Sequence, residues 1–262
     1  MGLIYQPNGP AREYSPLALN VYTGGCDHGC VYCYCRNMRN MGPWSTVPRP
    51  RNLTGLAREA ERASRQILLN FMGDPYCLAE RTHRRTRTAL GILAGARCSV
   101  AILTKGGTRC LDDLDVFRAW PDGRIKVGAT LTFLDPAKSA VHEPGAASPA
   151  DRLDALRQLH VAGVRTWASI EPVIDAEESL AVVMASLPYV DAYKVGKLNH
   201  QRSDVNWRQF GIAAVDLIRA AGKALYVKAD LWPYLPADYL TAGETAPDAL
   251  VVPDRPGEPV LW

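Results

Sequence analysis

The stretch Gly24-Gly25-Cys26-Asp27-His28-Gly29-Cys30-Val31-Tyr32-Cys33 places three cysteines at spacings of three and then two intervening residues, behind the apolar run Leu17 to Tyr22. An apolar run that breaks at paired glycines reads as a buried strand feeding a tight loop. Three thiolates on one such curl can wrap an iron–sulfur cubane. Proteins ordinarily hold cubanes through four cysteines, so a three-cysteine loop leaves one iron open to an exogenous ligand. A structural zinc site is the alternative, with His28 or Cys35 as fourth ligand, although zinc hooks usually come as two separated pairs. A redox pair formed by Cys30 and Cys33 is the other. Cys35 is left unassigned, because as a fourth ligand it would fill the position that the open iron needs.

Outward from this loop the chain alternates. Apolar, β-branched runs recur at Leu17 to Tyr22, Ile67 to Met72, Ser99 to Leu103, Lys126 to Leu131, Val164 to Ile170, Asp191 to Val195 and Ala224 to Val227. Helical spacing occupies Leu53 to Ser64, Thr82 to Leu93, Asp112 to Trp120, Ala150 to Ala162, Glu177 to Leu187 and Asn206 to Ala221,. A parallel crossover needs a helix to return the chain, so the alternation predicts right-handed βαβ units around a parallel sheet, closed as a full or partial barrel or left as an open doubly wound sheet. Gly163 and Gly222 stand where a helix stops and a strand follows, and are expected at positive φ. The proline-bearing stretch from Asn40 to Asn52 reads as a loop.

Composition sets limits without choosing a function. The chain has 262 residues, 47% of them hydrophobic, and a net charge of +3, which supports a core and permits a nucleic-acid partner without arguing for one,. Seven cysteines, an odd number packed toward one loop, suit metal or redox chemistry better than a disulfide framework,. There is no signal-like N-terminus and no apolar run of bilayer length, so a cytoplasmic protein with no membrane partner is expected. The run His83-Arg84-Arg85-Thr86-Arg87 reads first as a solvated face and second as a phosphate contact,.

The CxxxCxxC spacing, with Tyr32 just before the last cysteine, resembles the radical S-adenosylmethionine superfamily. Gly73-Asp74-Pro75-Tyr76 with Glu80 and Thr86-Arg87, Thr104-Lys105 followed by Asp112-Asp113-Leu114, and Glu143-Pro144-Gly145 followed by Arg152-Leu153 resemble the DPY, TK, RDL, EPG and RL segments of its spore photoproduct lyase and DNA repair photolyase-like branch. Cys110-Leu111-Asp112-Asp113 departs from that branch's arginine-aspartate pair. The resemblance implies a partial (β/α)6-type parallel barrel over residues 1–232, and residues 233–262 are expected to form an extension packed on it. It also implies a [4Fe-4S] cluster on Cys26, Cys30 and Cys33, with S-adenosylmethionine chelating the open iron and yielding a 5′-deoxyadenosyl radical when one electron cleaves it. A low-potential donor such as flavodoxin or ferredoxin would supply that electron.

Carried over residue by residue, the resemblance has Asp74, beside Gly73, receive the cofactor's ammonium and Lys105 its carboxylate, while Thr130 adds a hydroxyl and Tyr32 packs over the cluster or the adenine. Without it, Asp74 is a turn residue and Lys105 a loop lysine. Cys77, beside the DPY segment, is either a hydrogen-atom donor or an inert thiol. Glu171, Lys194 and Lys228 follow or end later strands, at the barrel end where active sites gather, and either bind substrate or pair with one another or with Asp230. The implied reaction is of lyase or isomerase type: repair, rearrangement or modification of a pyrimidine, thymine or a derivative, in DNA. A radical modifier of a peptide or small metabolite is the second reading, and a zinc-stabilised nucleic-acid-binding module the third.

Overall fold

Residues that alternate along the apolar runs sort onto two faces of one sheet. The computed structural model describes residues 2–37, 44–199, 201–248 and 250–252. Its strands are β1 (Ile4–Tyr5), β2 (Leu17–Leu19), β3 (Tyr22–Thr23), β4 (Arg49–Pro50), β5 (Ile67–Leu69), β6 (Val100–Thr104), β7 (Ile125–Thr130), β8 (Arg165–Ile170), β9 (Ala192–Val195) and β10 (Ala224–Val227). β3 and β4 pair only with each other, and the rest form an eight-stranded sheet in the order β1-β2-β5-β6-β7-β8-β9-β10. Every expected strand is present, all mutually parallel from β2 onward. The short β1 adds an antiparallel edge that has too few residues to register as a run. Among the described residues the sheet therefore carries seven parallel strands, one more than a six-unit barrel.

Ile67, Leu69, Val100, Ile102, Ile125 and Val127 are buried in a layer shared with the helices Leu56–Glu61 and Arg85–Ala94. Ala168, Ile170, Tyr193, Val195, Leu225 and Val227 do the same with Ala176–Ser186 and Trp207–Ala220. The intervening residues point the other way, and Leu68, Ala101, Trp167, Ala192 and Tyr226 meet there in one cluster with Leu250. Strands separated by so many neighbours touch only if the sheet curls, which makes it the α/β partial barrel expected, with an interior face filled by side chains. Trp167 is fully buried in that interior and its indole N–H donates to the Ile102 carbonyl at 2.9 Å, so the ring is sealed without an unsatisfied donor,.

Side chains at the helix starts fix where the crossovers begin. Asp135, Ser148, Asp175 and Asn206 each accept from first-turn amides, a contribution of about 1 kcal/mol per cap. The helix Pro136–His142 was not among the expected helices; its seven residues are too few to show a period, although Asp135-Pro136 is an N-cap followed by an N1 proline,. Gly163 and Gly222 take φ of 77° and 64°, as expected. Of the expected loop from Asn40 to Asn52, residues 40–43 lie outside the described residues, while Arg49–Pro50 forms β4.

Toward the C-terminus, Arg219 grips Glu244 at 2.7 and 2.6 Å, Leu250 enters the interior cluster, and the Val252 amide donates to Gln66 at 3.0 Å. Residues 253–262 lie outside the described residues. No helix among the described residues is long and apolar enough to cross a membrane.

Candidate active site

The cysteine loop is held from both sides by backbone. The Cys26 amide donates to the Ser45 carbonyl at 3.0 Å, and the amides of Val31 and Gly145 exchange with the carbonyls of His142 and His28 at 2.9 and 2.8 Å. Gly145 has to be glycine here, since a Cβ would lie 2.0 Å from the Asp27 carbonyl oxygen. The segment Glu143-Pro144-Gly145 thus serves as the seat of the cysteine loop. The Cys33 thiol is pulled down to about 6, first by a hydrogen bond from Cys35, against burial, with the Lys105 charge adding. Burial pushes the Cys26 and Cys30 thiols up. His28 is buried, with the Arg109 guanidinium 2.9 Å from Nε2 and the Asp74 carboxylate 3.5 Å from Nδ1. An arginine only donates, so the imidazole proton is assigned to Nδ1, and both ring nitrogens are engaged within the protein.

The expected cofactor residues converge on this loop. Asp74 Oδ1 accepts from the Tyr76 amide at 2.8 Å and the Thr104 hydroxyl at 2.6 Å, and Oδ2 accepts from the Lys105 amide at 2.7 Å. The carboxylate therefore locks the Thr104-Lys105 turn against β5. Lys105 Nζ stands 5.5 Å from the centroid of the Tyr32 ring. The Tyr32 hydroxyl donates to Glu143, which also meets Arg152 at 2.5 Å. Arg152 also donates to the carbonyls of Ala147 at 2.9 Å and Thr130 at 3.1 Å. Burial alone would raise the Glu143 pKa, but the Arg152 guanidinium, followed by Lys105, outweighs it and holds the carboxyl low. Thr130 is buried on the interior side, and its contact is made through its carbonyl. Around this centre the other family-like segments brace one another: Glu80 accepts from the Tyr22 hydroxyl at 2.6 Å and the Thr86 amide at 2.9 Å, and Arg87 pairs with Asp113 at 2.8 Å and Asp115 at 2.6 Å. Arg87 is thereby committed within the fold.

Glu171, Lys194 and Lys228 all project into the barrel, and there they meet residues that the sequence did not point to. Lys228 Nζ lies 2.8 and 2.7 Å from the Glu171 oxygens, which also accept from the Tyr14 hydroxyl at 2.5 Å and Asn199 at 3.0 Å. Asn199 reaches Asp230 at 2.6 Å, and Glu13 accepts from the Tyr226 hydroxyl and the Ala229 amide, both at 2.8 Å. The expected alternative of mutual pairing is therefore what forms between Glu171 and Lys228. Glu13 and Tyr14 come from the segment between β1 and β2, cross the barrel interior and meet the far edge of the sheet; nothing local in the sequence marks them.

Lys194 donates to the Glu13 carbonyl and sits over the rings of Tyr14 and Tyr226 at 5.3 and 4.5 Å. Burial, and then the Lys228 charge, pull its pKa down to about 7. The unfolded chain keeps that proton to about pH 10.4, so across this window the folded protein binds fewer protons and the group's contribution to stability rises with pH. Its penalty is full below pH 7. Lys194→Met is accordingly expected to raise Tm most at about pH 6, with a gain that shrinks by about pH 9. Thermal melts across that range check it, and a pH-independent difference would mean that the lysine titrates normally.

Cys77 does not join the site. It is fully buried in the helix-packed layer with Tyr22, Leu90 and Cys110, and burial pushes its thiol up. That is the environment of an inert packing cysteine, and the hydrogen-donor reading is not carried further.

Residues 20–178 match the sequence model of the radical SAM superfamily. The chain belongs to the radical SAM superfamily. An uncharacterized protein of Methanocaldococcus jannaschii is 30% identical over 199 residues, covering 74% of this chain and 73% of that protein. One from Mycobacterium tuberculosis is 26% identical over 251 residues, covering 89% and 72%. Among solved structures, a spore photoproduct lyase variant superimposes with a TM-score of 0.65 at 13% identity, over 86% of this chain and 79% of that one. SuiB of Streptococcus suis, bound to S-adenosylmethionine, superimposes with a TM-score of 0.66 at 12% identity over 86% of this chain, which spans 53% of SuiB.

Radical SAM enzymes use a [4Fe-4S] cluster and S-adenosylmethionine. The donor set fits that use: Cys26, Cys30 and Cys33 are free thiols on one curl, and His28 has no nitrogen to spare. Among the described residues no three His, Cys, Asp or Glu side chains converge on a single ion. A cubane distributes its ligands over separate irons and does not ask for that convergence. Asn70 accepts the Val21 amide at 2.9 Å on the chain leading toward the loop, and its buried amide nitrogen lacks a partner, an orphan donor of the kind that a polar cofactor would satisfy,.

Proposed function

We propose that this radical SAM protein repairs, rearranges or otherwise modifies a pyrimidine, thymine or a thymine derivative, in DNA, as a lyase or isomerase. The observation that carries the reading is the assembly of the Asp74, Thr104-Lys105 and Glu143–Arg152 segments around the cysteine loop, in a fold matching spore photoproduct lyase, a protein also solved with dinucleoside spore photoproduct, over 79% of the length of its variant. Cys26, Cys30 and Cys33 hold the cluster. When bound, cluster and S-adenosylmethionine supply a 5′-deoxyadenosyl radical able to take a substrate hydrogen.

The chain's own residues orient the reactants. Asp74 Oδ1 accepts two hydrogen bonds, and Oδ2 accepts the Lys105 amide and faces His28 Nδ1 at 3.5 Å, so the carboxylate meets the cofactor's ammonium chiefly through its charge. Lys105, fixed through its amide, presents its ammonium to the cofactor's carboxylate. Gly73, Tyr32 and Thr130 complete the cofactor side. Glu171, Lys228 and Lys194 form the substrate side, with Asn199 and Tyr14 fixing the ion pair.

The test is anaerobic turnover of the reconstituted protein with dithionite, S-adenosylmethionine and ultraviolet-irradiated thymine-rich DNA, deuterated on thymine. Faster 5′-deoxyadenosine formation with deuterium in that product is the expected result. No stimulation by irradiated or intact DNA overturns the substrate assignment. Because SuiB was solved with a precursor peptide, a peptide substrate would be tried next.

A further inference from the structure

The cluster must be reduced from outside, and the loop that carries the three cysteines itself reaches the surface, with Val31 exposed between Cys30 and Cys33. We infer that this face is the docking surface for an acidic one-electron donor protein, a low-potential flavin or iron–sulfur protein. The inference rests on the cluster being held by Cys26, Cys30 and Cys33.

Three apolar side chains stand exposed around the loop: Val31 at 50%, Leu78 at 52% and Val141 at 69% of full exposure. Each is held in place by backbone. The Val31 amide donates to the carbonyl of His142, next to Val141, at 2.9 Å, and the Leu78 amide donates to Asp27 inside the loop at 2.5 Å. Val31 sits between two cluster cysteines, so a partner covering it comes within a few bonds of the irons.

The rim is basic. Arg36 is exposed and reaches the Gly29 carbonyl at 2.7 Å, exposed Arg81 follows Leu78 by one turn, and behind them half-buried Arg109 turns inward to His28 at 2.9 Å. Among the described residues, none of these arginines has a carboxylate within ion-pair distance. Of the nearby acids, Glu80 and Glu143 are buried in the networks above, and Asp27 is turned inward, accepting the Leu78 amide through Oδ2 with Oδ1 buried. Exposed apolar side chains tied to the loop, with unpaired exposed arginines beside them in the chain, are the complement of a small acidic surface. Interfaces of electron-transfer pairs are small and rely on charge to speed encounter. The step itself breaks no bond: the donor loses one electron and the cluster gains it.

The measurement is stopped-flow reduction of the reconstituted holoprotein by photoreduced flavodoxin, at low and high salt, followed in the iron–sulfur absorption band. Paired substitutions Leu78→Asp with Val141→Asp are expected to slow reduction at least about tenfold at low salt, while Leu78→Lys with Val141→Lys keeps or raises the rate. Both pairs should leave dithionite-driven 5′-deoxyadenosine formation unchanged. A wild-type rate in the aspartate pair overturns the surface, and equal slowing by aspartate and lysine overturns the acidic partner. Failure of the wild type to cleave S-adenosylmethionine with dithionite would instead remove the cluster reading beneath the inference.

Discussion

Cys30→Ala is expected to abolish cluster binding and cofactor cleavage together, with iron falling from about four per chain to near zero after anaerobic reconstitution. Cys30 is the middle ligand in the proposed assignment, and its carbonyl accepts the Cys33 amide at 3.3 Å, so thiolate and turn belong to one structure. Two remaining thiolates cannot secure a cubane that already leaves one iron without a cysteine. Cys35→Ala is the informative counterpart. The Cys35 thiol is buried and gives its hydrogen bond to Cys33, a supporting position. Iron content should survive its loss, while the Cys33 pKa, now without its main hydrogen bond, should rise. Iron and sulfide analysis with a 5′-deoxyadenosine assay decides the matter. A Cys30→Ala protein that kept its irons and cleaved S-adenosylmethionine would sink the ligand assignment, and loss of the cluster in Cys35→Ala would move Cys35 among the ligands.

How far the sequence reached is best seen strand by strand. β5 through β10 were legible because strands buried on both faces are near-continuous apolar runs, and helices returned the chain between them. Once those strands are parallel and in register, the period of two puts Lys194 and Lys228 inward, with Glu171 just past its strand facing the same space. Whether the inward charges meet a substrate or one another is not written in the local sequence, since it depends on residues far along the chain. Tyr14 and Glu13 bear on much of it, yet they lie between β1 and β2, a few residues before Leu17, and carry no pattern. Asp74 shows a second limit: a carboxylate at a strand end reads alike whether it faces a ligand or caps its own turn. Cys77 shows a third, since adjacency to a motif says nothing about which side of the sheet a thiol occupies.

Arg152→Met should be the most destabilising single change short of the cluster ligands. Arg152 and Glu143 are both essentially without solvent contact, so methionine removes a charge and strands its partner. Breaking one side of a buried pair costs about 3–5 kcal/mol, which for a chain of this length lowers Tm by roughly 10 °C. The damage should spread to the site. Glu143 also accepts from Tyr32, and its neighbours Gly145 and Ala147 hold the cysteine loop and Lys105 through backbone hydrogen bonds of 2.8 and 2.9 Å. Slower cluster uptake is therefore expected alongside the lower Tm. The pH dependence identifies the cause. In the native protein Glu143 is held low by Arg152, so its contribution is present at neutral pH and lost only as pH falls through that lowered value,. Without the guanidinium, burial takes over and pushes the same carboxyl above its unfolded value of about 4.3. The mutant then takes up a proton on folding, and its deficit relative to wild type should shrink as the solution is acidified through the raised pKa. Adding Glu143→Gln should recover part of the loss at neutral pH, since it removes the stranded charge while keeping an acceptor for Tyr32. A deficit below about 1 kcal/mol, or one that ignores pH, would mean that water reaches this pair and that the seat of the cysteine loop is held by backbone alone.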